Sequence, residues 1–173
     1  MRGLMMQTPL LITGIMRHAE RINSKAEIVS VTAENPRHRC TLGDVFRRAR
    51  KLANALTRAG VQPGDRIATL AWNDYRHLEL YYAVSCMGAI LHTLNPRLYP
   101  EQLRYIINHA GDRMLFADST VMPLVEKLKP ALSTVERIIV LSNDSYEPFI
   151  ADESESFEWP ELDERTASSL CYT

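Results

Sequence analysis

Between residues 41 and 141 the apolar positions alternate between two rhythms, and that alternation predicts the architecture. Val45, Phe46, Ala49, Leu52, Ala53 and Leu56 recur at the spacing of one helical face. The turn Pro63-Gly64-Asp65 then launches a continuous apolar run at 66–72, which predicts a strand. Asn73 or Asp74 caps a second helix through Tyr81, Tyr82 and Met87, and Gly88 stops it. Residues 89–94 form the next strand, ended by Asn95-Pro96. Pro100 opens a third helix with Leu103, Ile106, Ile107 and Ala110 on one face, closed by Gly111. Residues 113–117 are a strand, and Asp118 or Ser119 caps a helix containing Val121, Leu124, Val125 and Leu128 that ends at Pro130. Residues 137–141 are a last regular strand. Four strands with three intervening helices predict an α/β fold with a mostly parallel sheet and crossover helices. The strands are almost uninterrupted apolar runs, as expected when both sheet faces are covered.

The first forty residues read differently. Thr8-Pro9 predicts a helix start, with Leu11, Ile15, Ala19 and Ile22 on one face. Residues 28–32 are β-branched, Glu34-Asn35-Pro36-Arg37 is turn chemistry, and 39–42 returns antiparallel, giving a small N-terminal β-hairpin. Thr41 and Asp44 are spaced as a capping box, and Gly60 suits the position just past the helix end. That helix carries Arg47, Arg48, Arg50, Lys51 and Arg58 away from its apolar stripe. A recognition helix does not follow, because Pro63-Gly64 leads into a strand, so the basic face reads as solvated rather than as a nucleic-acid surface. From Asn143 to Glu164 nine acidic residues stand without one Lys or Arg. The expected organisation is therefore an α/β unit at 1–142, a solvated acidic linker at 143–165 and a truncated strand at 166–173. Phe149, Phe157, Trp159 and Leu162 are candidate anchors for the linker.

Composition narrows the classes. A hydrophobic share of 46%, a charged share of 24% and a formal net charge of −1 exclude a global pull toward nucleic acid or anionic lipid. Cys40, Cys86 and Cys171 are odd in number and widely spaced, which predicts neither a disulfide framework nor a zinc ribbon and fits a reducing, cytoplasmic setting. No apolar run reaches the ~18 residues of a membrane span. His18, His38, His77, His92 and His109 lack paired metal-ligand spacing, so no metal ligand is predicted. His92, inside an apolar strand, reads as a satisfied core or edge histidine, with a ligand or an interface as the sharper alternative. Cys86 reads as packing. Tyr75, Tyr81 and Tyr82 read as core and interface filler, with a lipid tunnel as the lesser alternative. Ligands of open parallel sheets bind beyond the strand carboxyl ends, here Asn73, Asn95, Asp118 and Asn143. Asn and Asp are also ordinary caps and turn formers, which is the plainer reading. Neither Asn73-Asp74-Tyr75-Arg76 nor Asn95-Pro96-Arg97 contains the glycines of a nucleotide loop.

Three stretches together carry a resemblance. They are Thr41 to Arg66 with Gly60 and Gly64-Asp65-Arg66; Trp72 to Leu98 with Asn73, His77, Gly88-Ala89 and His92-Thr93-Leu94-Asn95-Pro96-Arg97-Leu98; and the following helix with the strand up to Asp118. In this order they resemble the start of AMP-forming acyl-CoA synthetases of the adenylate-forming superfamily, most closely the medium- and long-chain fatty-acyl-CoA synthetases. Leu42-Gly43 departs from the aromatic-plus-polar pair usual there. The resemblance implies an N-terminal portion of an enzyme that uses ATP, Mg²⁺ and CoA to activate a fatty acid. It implies that Thr173 is the first residue of the phosphate-binding loop, a weak cofactor contact, and that no residue here is catalytic. It further implies a fragment inactive alone, a homodimer through N-terminal segments, and a cytoplasmic protein that can lie peripheral to a membrane. A self-associating interaction module and a stand-alone small-molecule-binding α/β domain are the alternatives.

Overall fold

The computed structural model describes residues 3–4 and 6–172. Helix α1 (Ile12–Asn23) leads into the antiparallel hairpin β1 (Glu27–Ser30) and β2 (His38–Thr41). Then follow α2 (Leu42–Arg58), β3 (Arg66–Leu70), α3 (Tyr75–Cys86), β4 (Ile90–Thr93), α4 (Pro100–Ala110) and β5 (Met114–Asp118). After a 3₁₀ turn come α5 (Met122–Leu128), β6 (Arg137–Leu141), the short α6 (Tyr146–Ile150) and β7 (Ser169–Leu170). The α/β class, the parallel sheet and the hairpin are as expected. The five-stranded sheet runs β6-β5-β3-β4-β7 with every neighbour parallel.

The direction of each crossover decides which face its helix covers, because βαβ units are right-handed. The step β3 to β4 goes one way along the sheet, and α3 packs with α2 on one face. The steps β4 to β5 and β5 to β6 go the other way, and α4 and α5 cover the opposite face. The step β6 to β7 turns back across the whole sheet and so returns to the α2 side, where Tyr146, Phe149, Ile150, Phe157 and Trp159 join that core. Alternate strand residues serve the two cores. Ile67, Leu91, Met114, Phe116, Ile139 and Leu141 face α2 and α3, while Ala68, Leu70, Leu94, Leu115 and Ala117 face α4 and α5. A third cluster of Met16, Val45, Phe46 and Cys86 seats α1 and the hairpin on α2 and α3. Each large apolar side chain so buried contributes about 1.5–3 kcal/mol.

Local signals account for most element ends. The Thr41 Oγ1 accepts from the Asp44 N–H at 3.1 Å while an Asp44 carboxylate oxygen accepts from the Thr41 N–H at 2.8 Å, so the capping box of α2 is complete. Gly60, Gly64, Gly88 and Gly111 all have positive φ. At Gly111, past the end of α4, a Cβ would also stand 2.9 Å from Arg66 Nη2.

Three expectations need correction. Helix α1 begins at Ile12 after an extended Leu11, not at Pro9. The Leu10 N–H is instead held by Glu164 Oε2 at 3.0 Å, a contact from the far end of the chain. The buried face of α1 is Thr13 and Met16, whereas Ile15 and Ile22 are exposed. The basic face of α2 is not bare. Arg48 pairs with Glu79 and Glu147, Arg50 with Glu20, Arg58 with Glu153 at 2.5 Å, and Lys51 donates to the Ala151 carbonyl at 2.6 Å. The acidic segment thus lies against α2, and its Tyr146 is fully buried.

Candidate functional site

The strand carboxyl ends hold the polar residues that the sequence singled out, and most already have structural work. Asn95 Oδ1 accepts from the Arg97 N–H at 3.0 Å. Asp118 Oδ1 accepts from the Thr120 N–H at 2.8 Å, an N-cap. Asn143 Oδ1 accepts from Arg76 Nη2 at 2.7 Å. Asp74, not Asn73, caps α3 by accepting from the His77 N–H at 2.9 Å, and Asn73 is exposed. Strands β3 and β5 are neighbours whose following helices cover opposite faces, so a crevice opens beyond them. There the Trp72 indole N–H donates to Thr120 Oγ1 at 3.0 Å and closes the gap. The His77 imidazole lies between Thr69 Oγ1 at 3.0 Å and the Trp72 carbonyl at 3.1 Å. Burial lowers its pKa, so it serves as a neutral bridge.

A second polar group, which the sequence did not reveal, joins α2, α3 and α6. Arg76 is 2% exposed yet charged, and donates to Glu147, Glu34, the Leu141 carbonyl and Asn143 at 2.7–3.2 Å. Glu79 is fully buried, accepting from Arg48 Nε and from the Tyr146 hydroxyl, each at 2.6 Å. Burial pushes the Glu79 carboxyl up to about 7, with the Arg48 charge pulling the other way. Glu147 is also desolvated, but its bonds from Arg48 and Arg76 hold it below its ordinary value. A cavity of about 650 Å³ opens beside this group, lined by His38, Tyr75, Arg48, Arg76, Asn143 and Glu147. Arg48 and Arg76 are already matched to carboxylates, and Arg39, which also lines the cavity, is paired with Glu27, so among the described residues each lining guanidinium has a carboxylate partner. The only sequence signal was Arg76 and Glu79 three apart on a helix covered on most sides.

A third group stands where β7 leads out of the sheet. His92 and Asp112 are both fully buried, and His92 Nδ1 lies 2.8 and 2.9 Å from the two Asp112 carboxylate oxygens. His92 is therefore a partnered core histidine through Nδ1, but its Nε2 is buried without a partner. The Tyr172 ring lies 5.3 Å from the His92 ring, and the Tyr172 hydroxyl is 2.6 Å from His109 Nδ1. Thr173, the expected phosphate contact, lies outside the described residues. Among the described residues no cluster of three His, Cys, Asp or Glu is placed to hold a metal ion. No helix among them is long and apolar enough to cross a membrane.

Comparison with known proteins gives this scaffold its relatives. Residues 16–173 match the family described as AMP-binding enzyme. The whole chain is 49% identical to a 3-methylmercaptopropionyl-CoA ligase of Ruegeria pomeroyi, and 40% identical to a medium-chain-fatty-acid–CoA ligase of Ectopseudomonas oleovorans. In each case it covers 34% of the relative, so the chain spans about a third of the length of the curated relatives it matches. Among solved structures, the anthranilate CoA ligase AuaEII in complex with anthranoyl-AMP superposes with a TM-score of 0.87 at 21% identity, over 97% of this chain and 32% of that one. Fold, order of landmarks and the family match over residues 16–173 agree: this chain belongs to the AMP-binding enzyme family.

Proposed function

We propose that the protein to which this segment contributes is a fatty acid–CoA ligase, converting ATP, a fatty acid and CoA to acyl-CoA, AMP and pyrophosphate. The observation that carries the reading is identity of 49% and 40% to two acyl-CoA ligases over the full chain. A carboxylate is a poor acyl donor, and an adenylate supplies the leaving group that thiol attack requires. The names of those relatives point to acids from short thioether-bearing chains to medium length.

On this reading the described residues supply no nucleotide site of their own. The turns after β3 and β4 lack glycine, and Arg48 and Arg76 are consumed by carboxylates. The segment is read as scaffold, with the groups that hold ATP and Mg²⁺ supplied elsewhere in the protein. The 173-residue chain alone is expected to release no pyrophosphate when given MgATP with octanoate or 3-methylmercaptopropionate. The longer ligase is expected to release it with at least one of these acids. Acid-dependent pyrophosphate release by the 173-residue chain would overturn the scaffold reading. A longer protein that forms acyl-CoA from neither acid would overturn the proposed substrate class.

A second reading, self-association, is favoured by the outer face of α1, where Ile15 and Ile22 stand 62% and 58% exposed two turns apart. Sedimentation across a hundredfold range of concentration tests it, and a constant monomer mass counts against a homodimer.

A further inference from the structure

Strand β7 is held by little backbone. Only Leu91 with Ser169 and His92 with Leu170 are in register, at the outer edge of the sheet. The two residues that follow have no regular structure, yet Tyr172 is fixed on two sides. Its hydroxyl meets His109 at the end of α4, and its ring packs on His92 in β4. His92 cannot yield, because both oxygens of the buried Asp112 hold Nδ1 and fix the ring orientation. The carboxylate accepts, so the proton belongs on Nδ1, and Nε2 is buried without a partner. A histidine used only for packing could be leucine, as at neighbouring positions of this core. Burying a carboxylate to orient an imidazole has its return in the Tyr172 contact.

We propose that His92, oriented by Asp112, is a positioning residue that with His109 clamps Tyr172 and fixes the direction in which the chain leaves β7. The clamp rests on the described geometry. Its consequence for catalysis rests on the ligase reading above, in which the phosphate-binding loop starts at the next residue.

Hydrogen–deuterium exchange of the 173-residue chain tests the clamp by itself. Tyr172→Phe removes one hydroxyl at the outer rim and spares both cores, so it serves even if a buried variant misfolds. It is expected to speed exchange of residues 166–172 by roughly five- to tenfold, with β3 and β5 unchanged. Asp112→Ala is expected to do the same, whereas Asp112→Asn keeps an acceptor for the His92 N–H and is expected to stay near the parent. Unchanged exchange at 166–172 in Tyr172→Phe would overturn the clamp, as would acceleration in Asp112→Asn equal to that in Asp112→Ala. In the longer ligase, Tyr172→Phe is expected to raise KM for MgATP severalfold and leave KM for octanoate unchanged. Equal shifts in both constants would overturn the positioning role. A parent ligase inactive with octanoate refutes the ligase reading for that acid, while the exchange result still judges the clamp.

Discussion

Arg48→Met is the sharpest test of how the acidic segment and α3 are held to α2. The substitution keeps a long apolar stem and removes the charge that faces Glu79 at 2.6 Å and Glu147 at 2.9 Å. Glu147 keeps Arg76, but Glu79 keeps only the neutral Tyr146 hydroxyl. Removing one partner of a buried pair costs about 3–5 kcal/mol when the other stays charged. Glu79 can escape by taking up a proton, so the loss must depend on pH. In the parent chain burial already raises its pKa from 4.5 to about 7. A carboxyl whose folded pKa is raised favours the folded state most below its unfolded value, and that contribution declines as pH rises. Without Arg48 the folded pKa moves higher, and the decline extends above pH 7. We expect a loss of about 3 kcal/mol at pH 8, seen as a Tm lower by about 6–12 °C. At pH 5 the loss should shrink to about 1 kcal/mol, the value of one hydrogen bond. Urea unfolding of both proteins at both pH values measures the difference, in which other titrating groups cancel. An equal loss at pH 5 and pH 8 would refute the reasoning, as would a loss below about 1 kcal/mol at pH 8.

Other outcomes follow from single contacts. Thr41→Ala removes the side-chain half of the α2 capping box and should lower stability by about 1 kcal/mol near neutral pH. The Thr41 hydroxyl helps hold the Asp44 carboxyl below its ordinary value, so that part of the difference is present above the usual carboxylate range and is lost as pH falls, while the part due to the Asp44 N–H bond to Thr41 Oγ1 persists; thermal melts should show a smaller difference at pH 3 than at pH 7. Gly111→Ala meets both a φ of +68° and Arg66 Nη2 at 2.9 Å, and should cost about 1–3 kcal/mol by chemical denaturation. Asn54 donates to the Ser154 and Ser156 carbonyls at 3.0 and 2.9 Å. Asn54→Ala should therefore speed limited proteolysis within residues 151–165, and unchanged cleavage would remove that contact from the account.

The βα series was legible because each element is patterned on its own residues. Ile67, Leu91 and Phe116 sit in apolar runs, and Gly60 and Gly111 mark helix ends. The start of α1 was not legible. Thr8-Pro9 is a sound local signal, but the bond from Glu164 that holds Leu10 extended comes from 154 residues away. The basic face of α2 misled for the same reason: local charge density points to water, and partners such as Glu147 and Glu153 arrive about a hundred residues later. Topology carried that information. Once β7 is placed beside β4, right-handed crossing brings the acidic segment to the side of α2. His92 was readable as an unusual strand residue, whereas its buried partner Asp112 follows the helix-ending Gly111 and drew no reading of its own.

The return of the chain from β6 to β7 sets an order on assembly. These strands occupy opposite borders of the sheet, four interstrand spacings or about 19 Å apart. Lys51 and Asn54 meet Ala151 and Ser154, each 100 positions further along the chain. At translation rates of about 5–20 residues per second, the cationic flank of α2 is synthesised roughly 5–20 s before these later partners. The covering of this flank therefore waits until residues 147–154 have been made, long after α2 itself.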